Sequence, residues 1–405
     1  MRKRHVVRVL AATTVALVAV AGLPATASSA PGDPIDRSAL SRSLAALHAA
    51  GVPATYAEVR DGGRTWSGAA GIADLTTASP AKPDMRHRVG SITKSFVAAT
   101  VLRLVAEGKV GLNDPIGRWL PNLVDGELGR QVTVRMLLNH TSGIGNYTNV
   151  LLDSLADVVS LGTETYAPEQ LVQIGLSMPV TGAPGQTYSY SNTGYILLGL
   201  LIEKITGNDA TAEITKRIIR PLRLSNTYFP GADPNIRGPH AGAHFAVFGV
   251  RDLSRYNMTW AWTAGELIST PSDLDTFYRA LLGGKLLPPA QLAQMRTTVP
   301  MEPEFPDASG YGLGLYWMAT PCGPVWGHDG GVVGQLTISL HAPDARRQMS
   351  IGVNLSHYQV TLDEEHPVDT ALFGALLTGL CPGAVSAARA TPRLPLPGAL
   401  PLQVG

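Results

Sequence analysis

The chain has 405 residues, of which 45% are hydrophobic and 16% are charged. This composition excludes a disordered or fibrous protein, and it allows one large core in a single domain or in two closely packed lobes. The net charge is +1, and removal of the four basic residues of a predicted signal leaves −3. A chain with this charge has no basic surplus for binding nucleic acid, so we predict no nucleic-acid partner.

The N-terminus has the composition of a secretory signal. Basic residues within positions 1–8 precede a short apolar run at 9–23 and a stretch of small residues. The run is shorter than the roughly 20 residues that a membrane span needs. We therefore predict a signal peptide over 1–30, cleaved after Ala27 or Ala30, and a secreted protein without a stable membrane span. A retained membrane anchor is the alternative.

Periodicity divides the rest of the chain into three parts. A helix and a hairpin come first, a helix-rich middle follows, and strands with a final helix end the chain. The predicted helices are 37–50, 91–107, 195–206 and 368–380, and the predicted strands are 54–60, 65–73, 311–317, 324–328, 333–340 and 348–355. We expect an α+β fold, often grouped as α/β, in which both chain ends form one antiparallel sheet with flanking helices around an inserted, mainly helical lobe. A cleft would lie between the lobes.

The domain is predicted to span residues 31–381, and the Ala- and Pro-rich residues 382–405 are predicted to be a disordered tail. Its two cysteines are Cys322 and Cys381. Export would place them in an oxidising compartment, so we predict one structural disulfide, with two buried free thiols as the alternative.

Ser-x-x-Lys occurs twice, and local context separates the copies. Ser79 and Lys82 lie among Pro80 and Pro83, which prevent the helix that would place both side chains on one face. Ser91 and Lys94 begin an apolar-periodic helix, with Ser91 at its predicted N-cap, so the two side chains share one turn. The pattern predicts a serine nucleophile beside a basic amine; a capping serine with an exposed lysine is the alternative.

Tyr-x-Asn also occurs twice, at Tyr147 and at Tyr190. We prefer Tyr190, because it follows a Pro-Gly turn and Asn192 comes just before a helix. A tyrosine in this setting can serve as a proton acceptor if a nearby cation lowers its pKa, and the asparagine can orient a substrate amide. A packing tyrosine and an N-cap asparagine are the alternatives.

His-x-Gly has one copy at His240 and another at His328. The second ends a predicted strand, and Gly330 and Gly331 leave room for a substrate along the strand edge. A structural histidine is the alternative. His240 and His244 have no carboxylate or cysteine at ligand spacing, so we predict no metal site. We also find no Gly-x-Ser-x-Gly, His-Glu-x-x-His or phosphate-binding loop.

Four motifs stand in chain order: Arg88-Val-Gly-Ser-Ile-Thr-Lys-Ser95, Leu137-Leu-Asn-His-Thr-Ser-Gly143, Tyr190-Ser-Asn192 and Gly327-His-Asp-Gly330. In them the chain resembles the serine beta-lactamase and D-alanyl-D-alanine carboxypeptidase family from about residue 40 to 380. The histidine of the last motif is similar to that of exported actinobacterial DD-peptidases, whereas beta-lactamases usually have lysine there.

The resemblance implies a catalytic set of Ser91, Lys94, Tyr190 and His328. Ser91 attacks an acyl carbonyl, Lys94 and Tyr190 handle its proton, and the amides of Ser91 and Gly331 hold the oxyanion. It implies that Asn192, Gly330 and Gly331 contact substrate, and that Asn192 and His328 line the cleft. Whether Lys94 is a neutral base or a cation beside a Tyr190 phenolate stays open. Trp260 and Trp262 are predicted to wall the site, with ordinary core packing as the alternative.

A D-alanyl-D-alanine carboxypeptidase is the first functional expectation, although strand 311–317 has no cation for a substrate carboxylate. A D-aminopeptidase, D-endopeptidase or esterase is next. A beta-lactamase and a non-catalytic penicillin-binding module are weaker alternatives. We expect a monomer that needs no cofactor, acts on D-amino-acid peptides or esters, and is acylated by beta-lactams.

Overall fold

The computed structural model describes residues 35–246, 250–358 and 366–383. The predicted signal peptide and most of the predicted tail lie outside the described residues.

Strands from both ends of the chain meet in one sheet. In chain order the strands of the described residues are β1 (Ala54–Asp61), β2 (Arg64–Asp74), β3 (Ser79–Pro80), β4 (His87–Arg88), β5 (His244–Phe245), β6 (Arg251–Asp252), β7 (Ile268–Ser269), β8 (Val299–Pro300), β9 (Ser309–Tyr311), β10 (Tyr316–Thr320), β11 (Gly323–Val332), β12 (Gln335–His341), β13 (Arg347–Val353) and β14 (Leu355–Ser356). Nine of them form the main sheet in the order β3-β2-β1-β13-β12-β11-β10-β9-β8. β1 pairs antiparallel with β13, with Thr55 opposite Val353. The prediction that strands from both ends of the chain form one antiparallel sheet is confirmed.

Helices fill the interval between the two groups of strands and cover the sheet. In chain order they are α1 (Arg37–Ala49), α2 (Thr93–Ala106), α3 (Ile116–Trp119), α4 (Gly126–Gln131), α5 (Val134–Leu138), α6 (Thr148–Leu151), α7 (Leu155–Leu161), α8 (Pro168–Ser177), α9 (Asn192–Thr206), α10 (Ala210–Ile214), α11 (Trp262–Gly265), α12 (Pro271–Leu282), α13 (Pro289–Met295) and α14 (Pro367–Leu380). A 3₁₀ turn, Gly90–Ile92, precedes α2, and a π-helical turn, Thr215–Ile219, follows α10.

The two largest hydrophobic clusters among the described residues hold the two parts of the fold. One surrounds α2 and α9 in the helical region. The other lies between the sheet and the terminal helices, where Leu40, Leu44 and Leu47 of α1 meet Leu376 and Leu380 of α14. The spacing of the three α1 leucines places them on one buried face. β11, which lies inside the sheet between β12 and β10, packs against the 3₁₀ turn that precedes α2.

Two predicted strands have different bounds in the structure. The strand predicted at 311–317 is broken, because Gly314 has φ +77° and Gly312 N–H bonds the Leu315 carbonyl in a tight turn. The strand predicted to end at His328 instead continues as β11 to Val332. His328 is therefore in the middle of a strand, with Ser339 of β12 opposite it.

A disulfide joins Cys322 to Cys381. It ties the residue after α14 to the turn between β10 and β11, and so links the end of the described chain to the strand next to the cleft. Within the described part of the chain, none of the helices combines the length and the hydropathy that crossing a membrane requires.

Candidate active site

Ser91 lies in the 3₁₀ turn between β4 and α2. Its prediction as the N-cap of an α-helix was wrong, because the α-helix begins only at Thr93. Gly90, with φ +53°, reverses the chain, and the Thr93 hydroxyl donates to the Gly90 carbonyl and holds the turn closed. The turn leaves Ser91 half-buried at the wall of a cavity.

Lys94 is buried and lies one turn beyond Ser91. Its Nζ is 2.9 Å from Ser91 Oγ, 2.7 Å from Asn192 Oδ1 and 2.7 Å from the Ala264 carbonyl oxygen. Burial lowers the pKa of Lys94 well below its usual value. A neutral amine has two N–H groups, which the two carbonyl oxygens accept, so its lone pair is left for the Ser91 hydroxyl.

Tyr190 approaches Ser91 from the other side. Its hydroxyl donates to Ser91 Oγ at 2.8 Å, and its ring centroid is 4.9 Å from Lys94 Nζ. Burial raises the pKa of Tyr190 well above its usual value, so the phenol keeps its proton. Of the two proton arrangements left open by the sequence, this geometry favours Lys94 as the base and Tyr190 as a proton donor. These three side chains are the reacting cluster.

Asn192 links the reacting cluster to the start of α6. Its Oδ1 accepts from Lys94, and its Nδ2 donates to Thr148 Oγ1 at 3.1 Å. The Asn192 backbone N–H also bonds Asn146 Oδ1 at 3.0 Å. Because each of these groups is satisfied by a specific partner, the Lys94 amine is held in one orientation.

The backbone of β11 comes unusually close to the 3₁₀ turn. A Cβ on Gly330 would lie 1.9 Å from the Val89 carbonyl oxygen and 2.7 Å from Ser91 N, and a Cβ on Gly90 would lie 3.0 Å from Gly331 N. Glycine at both positions is therefore needed for the contact. The contact brings the backbone segments that carry the Ser91 and Gly331 nitrogens close together. These are the two amides that the family resemblance implies as donors of an oxyanion hole.

His328 lies behind the reacting cluster rather than in it. It is fully buried and does not line the cavity. Its Nδ1 is 2.5 Å from the Asp329 carbonyl oxygen and its Nε2 is 2.8 Å from the Tyr311 hydroxyl. Burial lowers its pKa to about 3, so the imidazole is neutral, and in the described structure no hydrogen bond joins it to the reacting cluster. Its position fits a supporting role, not direct contact with substrate.

The cavity in front of Ser91 is small, about 50 Å³. Its wall in the described residues contains no lysine, arginine or histidine: it is formed by Ser91, Tyr147, Thr148, Tyr190, Asn192, Trp260, Ala261, Ala264, Gly265, Gly331 and Val332. Trp260 was predicted in this wall. Trp262 was also predicted there, wrongly, because its ring packs into the space left by Gly199 of α9.

Tyr147 and Thr148 belong to the wall, although the flanking residues favour the Tyr-x-Asn copy at Tyr190. Tyr147 is buried, and its hydroxyl donates to the Trp260 carbonyl at 2.6 Å. The repeated motif was the available signal, since both copies line one cavity. The other two rejected copies lie elsewhere: Ser79 and Lys82 are exposed at the β3 edge, and His240 bonds the Gly238 carbonyl.

His140, from the second of the four motifs, supports the reacting cluster from behind. Its ring centroid is 4.2 Å from that of Tyr190, with the two rings tilted, and 4.7 Å from that of Tyr311 in an edge-on arrangement. Its Nδ1 accepts from the Ser191 backbone N–H, which fixes the segment between Tyr190 and α9. No group of three His, Cys, Asp or Glu side chains suited to a metal ion occurs in residues 35–246, 250–358 and 366–383.

The buried carboxyl of Glu266, next to the cavity residue Gly265, makes the stability of the folded protein depend on pH. It is 1% exposed, neither carboxyl oxygen has a hydrogen-bond partner within the described structure, and burial raises its pKa from 4.5 to about 8. The folded protein therefore holds a proton that the unfolded chain loses above pH 4.5, so stability is lost as pH rises from 4.5 to 8. The variant Glu266→Gln has no carboxyl to ionise, so it does not lose this stability as the pH rises.

We compare the free energy of unfolding of Glu266→Gln with that of the wild type at the same pH. We expect this difference to be about 3 kcal/mol larger at pH 8 than at pH 5, in favour of the variant. Urea unfolding at the two pH values measures it. Glu304→Gln, at an exposed position, is the matched control. A gain that does not change with pH would show that the Glu266 carboxyl is not held neutral by the fold.

The fold and the site define a serine hydrolase of the beta-lactamase type. The model of the beta-lactamase family matches residues 40–368, and the chain belongs to this family. A D-stereospecific amidohydrolase from Streptomyces sp. is similar in structure, with a TM-score of 0.76 and 38% identity over 85% of this chain and 99% of that one. The D-amino acid amidase from Ochrobactrum anthropi SV3 has a TM-score of 0.73 and 25% identity over 84% and 97%.

Among curated proteins, Esterase EstB from Burkholderia gladioli is 33% identical over 174 residues, which is 41% of this chain and 44% of the esterase. The chain thus matches less than half the length of this relative.

Proposed function

We propose that the protein is a D-stereospecific amidohydrolase that cleaves the amide or ester bond of a D-amino-acid acyl group through a serine acyl-enzyme. The observation that carries the proposal is the wall in front of Ser91, whose described residues offer a bound leaving group no cationic side chain. Leaving groups without a free carboxylate suit such a wall, because a buried unpaired carboxylate is costly. The similarity to the Streptomyces D-stereospecific amidohydrolase supports the same substrate class.

Acylation begins with Ser91. Lys94, as a free amine, takes the hydroxyl proton while Oγ forms a bond to the substrate carbonyl carbon. The carbonyl electron pair moves to its oxygen, which the amides of Ser91 and Gly331 stabilise. Each such donor lowers the activation barrier by about 3 kcal/mol, by analogy with measured oxyanion holes.

Tyr190 then supplies the proton that the leaving nitrogen or oxygen needs. Its hydroxyl already donates to Ser91 Oγ, so it is next to the bond that breaks. As that bond breaks, the proton on Lys94 restores the phenol. In the second half-reaction water attacks the ester carbon and gives one proton to the free amine of Lys94. The bond between that carbon and Ser91 Oγ then breaks, Oγ takes the proton of Tyr190, and the proton on Lys94 restores the phenol, which releases the acid and returns the site to its starting state.

A D-alanyl-D-alanine carboxypeptidase, the first expectation from the sequence, is the second candidate. The set of Ser91, Lys94 and Tyr190 performs the same acyl transfer in either case. Penicillin-binding protein 4* of Bacillus subtilis, 32% identical over 157 residues, supports it. The two candidates differ in the group beyond the scissile bond, which is neutral for an amidohydrolase and carboxylate-bearing for a carboxypeptidase.

The test compares matched substrates with the purified protein. D-alanyl-D-alanine amide and D-alanyl-D-alanine differ only in the terminal charge, and D-alanine amide and L-alanine amide differ only in configuration. We expect the amide peptide to be cleaved more than tenfold faster than the acid, and the D amide faster than the L amide. Faster cleavage of the acid would favour the carboxypeptidase, and a preference for L substrates would contradict both.

We also propose that the protein is exported and acts outside the cytoplasm. The signal-like residues 1–30 and the Cys322–Cys381 disulfide support this location. Fractionation of the native producer with an antibody to the domain tests it: we expect the processed chain in the culture medium, and a full-length cytoplasmic chain would contradict export.

A further inference from the structure

His140 stands at a helix end where a histidine is unusual. α5 ends at Leu138, and Asn139 is its C-cap. The Thr141 backbone N–H bonds the Met136 carbonyl at 2.9 Å, which is the hydrogen bond of a Schellman motif, and His140 takes the position after the cap with φ +59°. Glycine, or less often asparagine, is the usual residue there, because a larger side chain is strained at positive φ. The end of the helix therefore does not explain the histidine.

The side chain of His140 also carries a buried polar group without a partner. The residue is 1% exposed, and its Nδ1 accepts from the Ser191 backbone N–H at 3.2 Å. Burial lowers the pKa of His140 well below its usual value, so the ring is neutral, and with Nδ1 as acceptor its one proton is on Nε2. Nε2 has no hydrogen-bond partner among the described residues. Both the backbone strain and the unpaired N–H cost stability, which indicates that the ring has another role.

His140 holds the segment around Tyr190 at three points. Its carbonyl accepts from the Ser189 backbone N–H at 2.7 Å, and its Nδ1 accepts from the Ser191 backbone N–H. The residues on both sides of Tyr190 are thus bonded to one histidine. Between these two bonds the rings of His140 and Tyr190 pack with their centroids 4.2 Å apart. Together the three contacts fix the direction in which the Tyr190 hydroxyl points, which is toward Ser91 Oγ at 2.8 Å.

We propose that His140 positions Tyr190 for protonation of the leaving group and thereby sets how well the enzyme cleaves amides relative to activated esters. His140 is a positioning residue, because it acts through Tyr190 and does not line the cavity. The inference rests on the proposed function, in which Tyr190 gives its proton to the leaving atom as the bond to the acyl carbon breaks. The proton on Lys94 then restores the phenol.

The leaving group decides how much this position matters. An amide nitrogen must gain a proton as it leaves, because an amide anion is too basic to be released in water. A p-nitrophenolate leaves as a stable anion and needs no proton. A phenol that is displaced by about 1 Å should therefore slow amide cleavage by about 10²-fold and slow the acylation by a p-nitrophenyl ester much less.

The test compares kcat/KM for D-alanine amide and D-alanine p-nitrophenyl ester, which have the same acyl group. His140→Gly removes the ring and Nδ1 at a backbone position that suits glycine. His140→Phe fills the space without an acceptor, and it is the second variant in case His140→Gly folds poorly. In His140→Asn the side-chain oxygen can take the place of Nδ1, and asparagine tolerates positive φ. Circular dichroism establishes that each variant is folded.

We expect His140→Gly and His140→Phe to lower kcat/KM for the amide by about 10²-fold and for the ester by less than about tenfold. His140→Asn should keep an amide-to-ester ratio within about threefold of the wild type, because it restores the acceptor. A histidine with a purely structural role would lower both rates equally. His341→Phe is the matched control: His341 is a fully buried histidine of β12 that bonds Ser339 and Gln348, and its replacement should leave the ratio unchanged.

An unchanged ratio in the folded His140→Gly or His140→Phe protein would overturn the proposal. A ratio in His140→Asn as low as in His140→Gly, or an equal fall in His341→Phe, would also overturn it. Tyr190→Phe separates this result from a failure of the proposed function. If Tyr190→Phe lowers the ratio and the His140 variants do not, the acid role of Tyr190 stands and only the positioning by His140 is wrong; if Tyr190→Phe leaves the ratio unchanged, both are wrong.

Discussion

Replacement of Lys94 by methionine is expected to reduce kcat by about 10³- to 10⁴-fold, near the upper range for loss of a general base. Methionine fills nearly the same space, but its thioether sulfur is far too weakly basic to take the Ser91 proton. It also leaves Asn192 Oδ1 and the Ala264 carbonyl without their 2.7 Å partner. The steady-state rate with a D-amino-acid amide measures the loss.

Lys82→Met is the matched control, since Lys82 belongs to the other Ser-x-x-Lys copy and is exposed beside β3. It should keep the wild-type rate. Circular dichroism and thermal unfolding establish that Lys94→Met is folded. A folded Lys94→Met enzyme with a rate within tenfold of the wild type would show that Lys94 is not the base.

Gly330→Ala is expected to lower kcat by at least about 10²-fold, the cost of losing one oxyanion donor. The new methyl group would lie 1.9 Å from the Val89 carbonyl oxygen, which is backbone and cannot move aside cheaply. β11 and the 3₁₀ turn must therefore separate, and the amides of Ser91 and Gly331 separate with them. KM should change less than kcat, because the lost contact forms in the transition state.

Gly374→Ala in α14 is the control for this substitution, because a Cβ there has no neighbour within 4 Å. It should leave the rate unchanged and add about 0.5–1 kcal/mol of stability, as Gly→Ala does in a helix. Wild-type kinetics in folded Gly330→Ala would mean that the close approach of β11 does not build the oxyanion hole.

The sequence predicted the sheet and the reacting cluster because both depend on local patterns. Helical spacing placed Ser91 and Lys94 on one turn, and two prolines excluded the copy at Ser79 and Lys82. The antiparallel sheet followed from strands at both ends and helices between them. Each of three short motifs occurs twice, and in most cases the residues that flank the two copies indicated which one belongs to the site.

The features that sequence did not predict arise from contacts between distant segments. The 3₁₀ turn at Ser91 exists because Gly90 packs on β11, some 240 residues later. The Trp262 ring packs at Gly199 of α9 and does not line the cavity. Tyr147 lines the cavity and is held there by the hydrogen bond of its hydroxyl to the Trp260 carbonyl.

The mass of the acylated protein tests whether Ser91 is the nucleophile. The wild type, Ser91→Ala and Ser79→Ala are each incubated with a penicillin, and intact masses and peptide maps are recorded over time. We expect one penicilloyl adduct on the peptide that contains Ser91, present in the wild type and Ser79→Ala and absent in Ser91→Ala. An adduct that persists in Ser91→Ala, or no adduct in a wild type that cleaves D-amino-acid amides at a rate unaffected by Ser91→Ala, would contradict it.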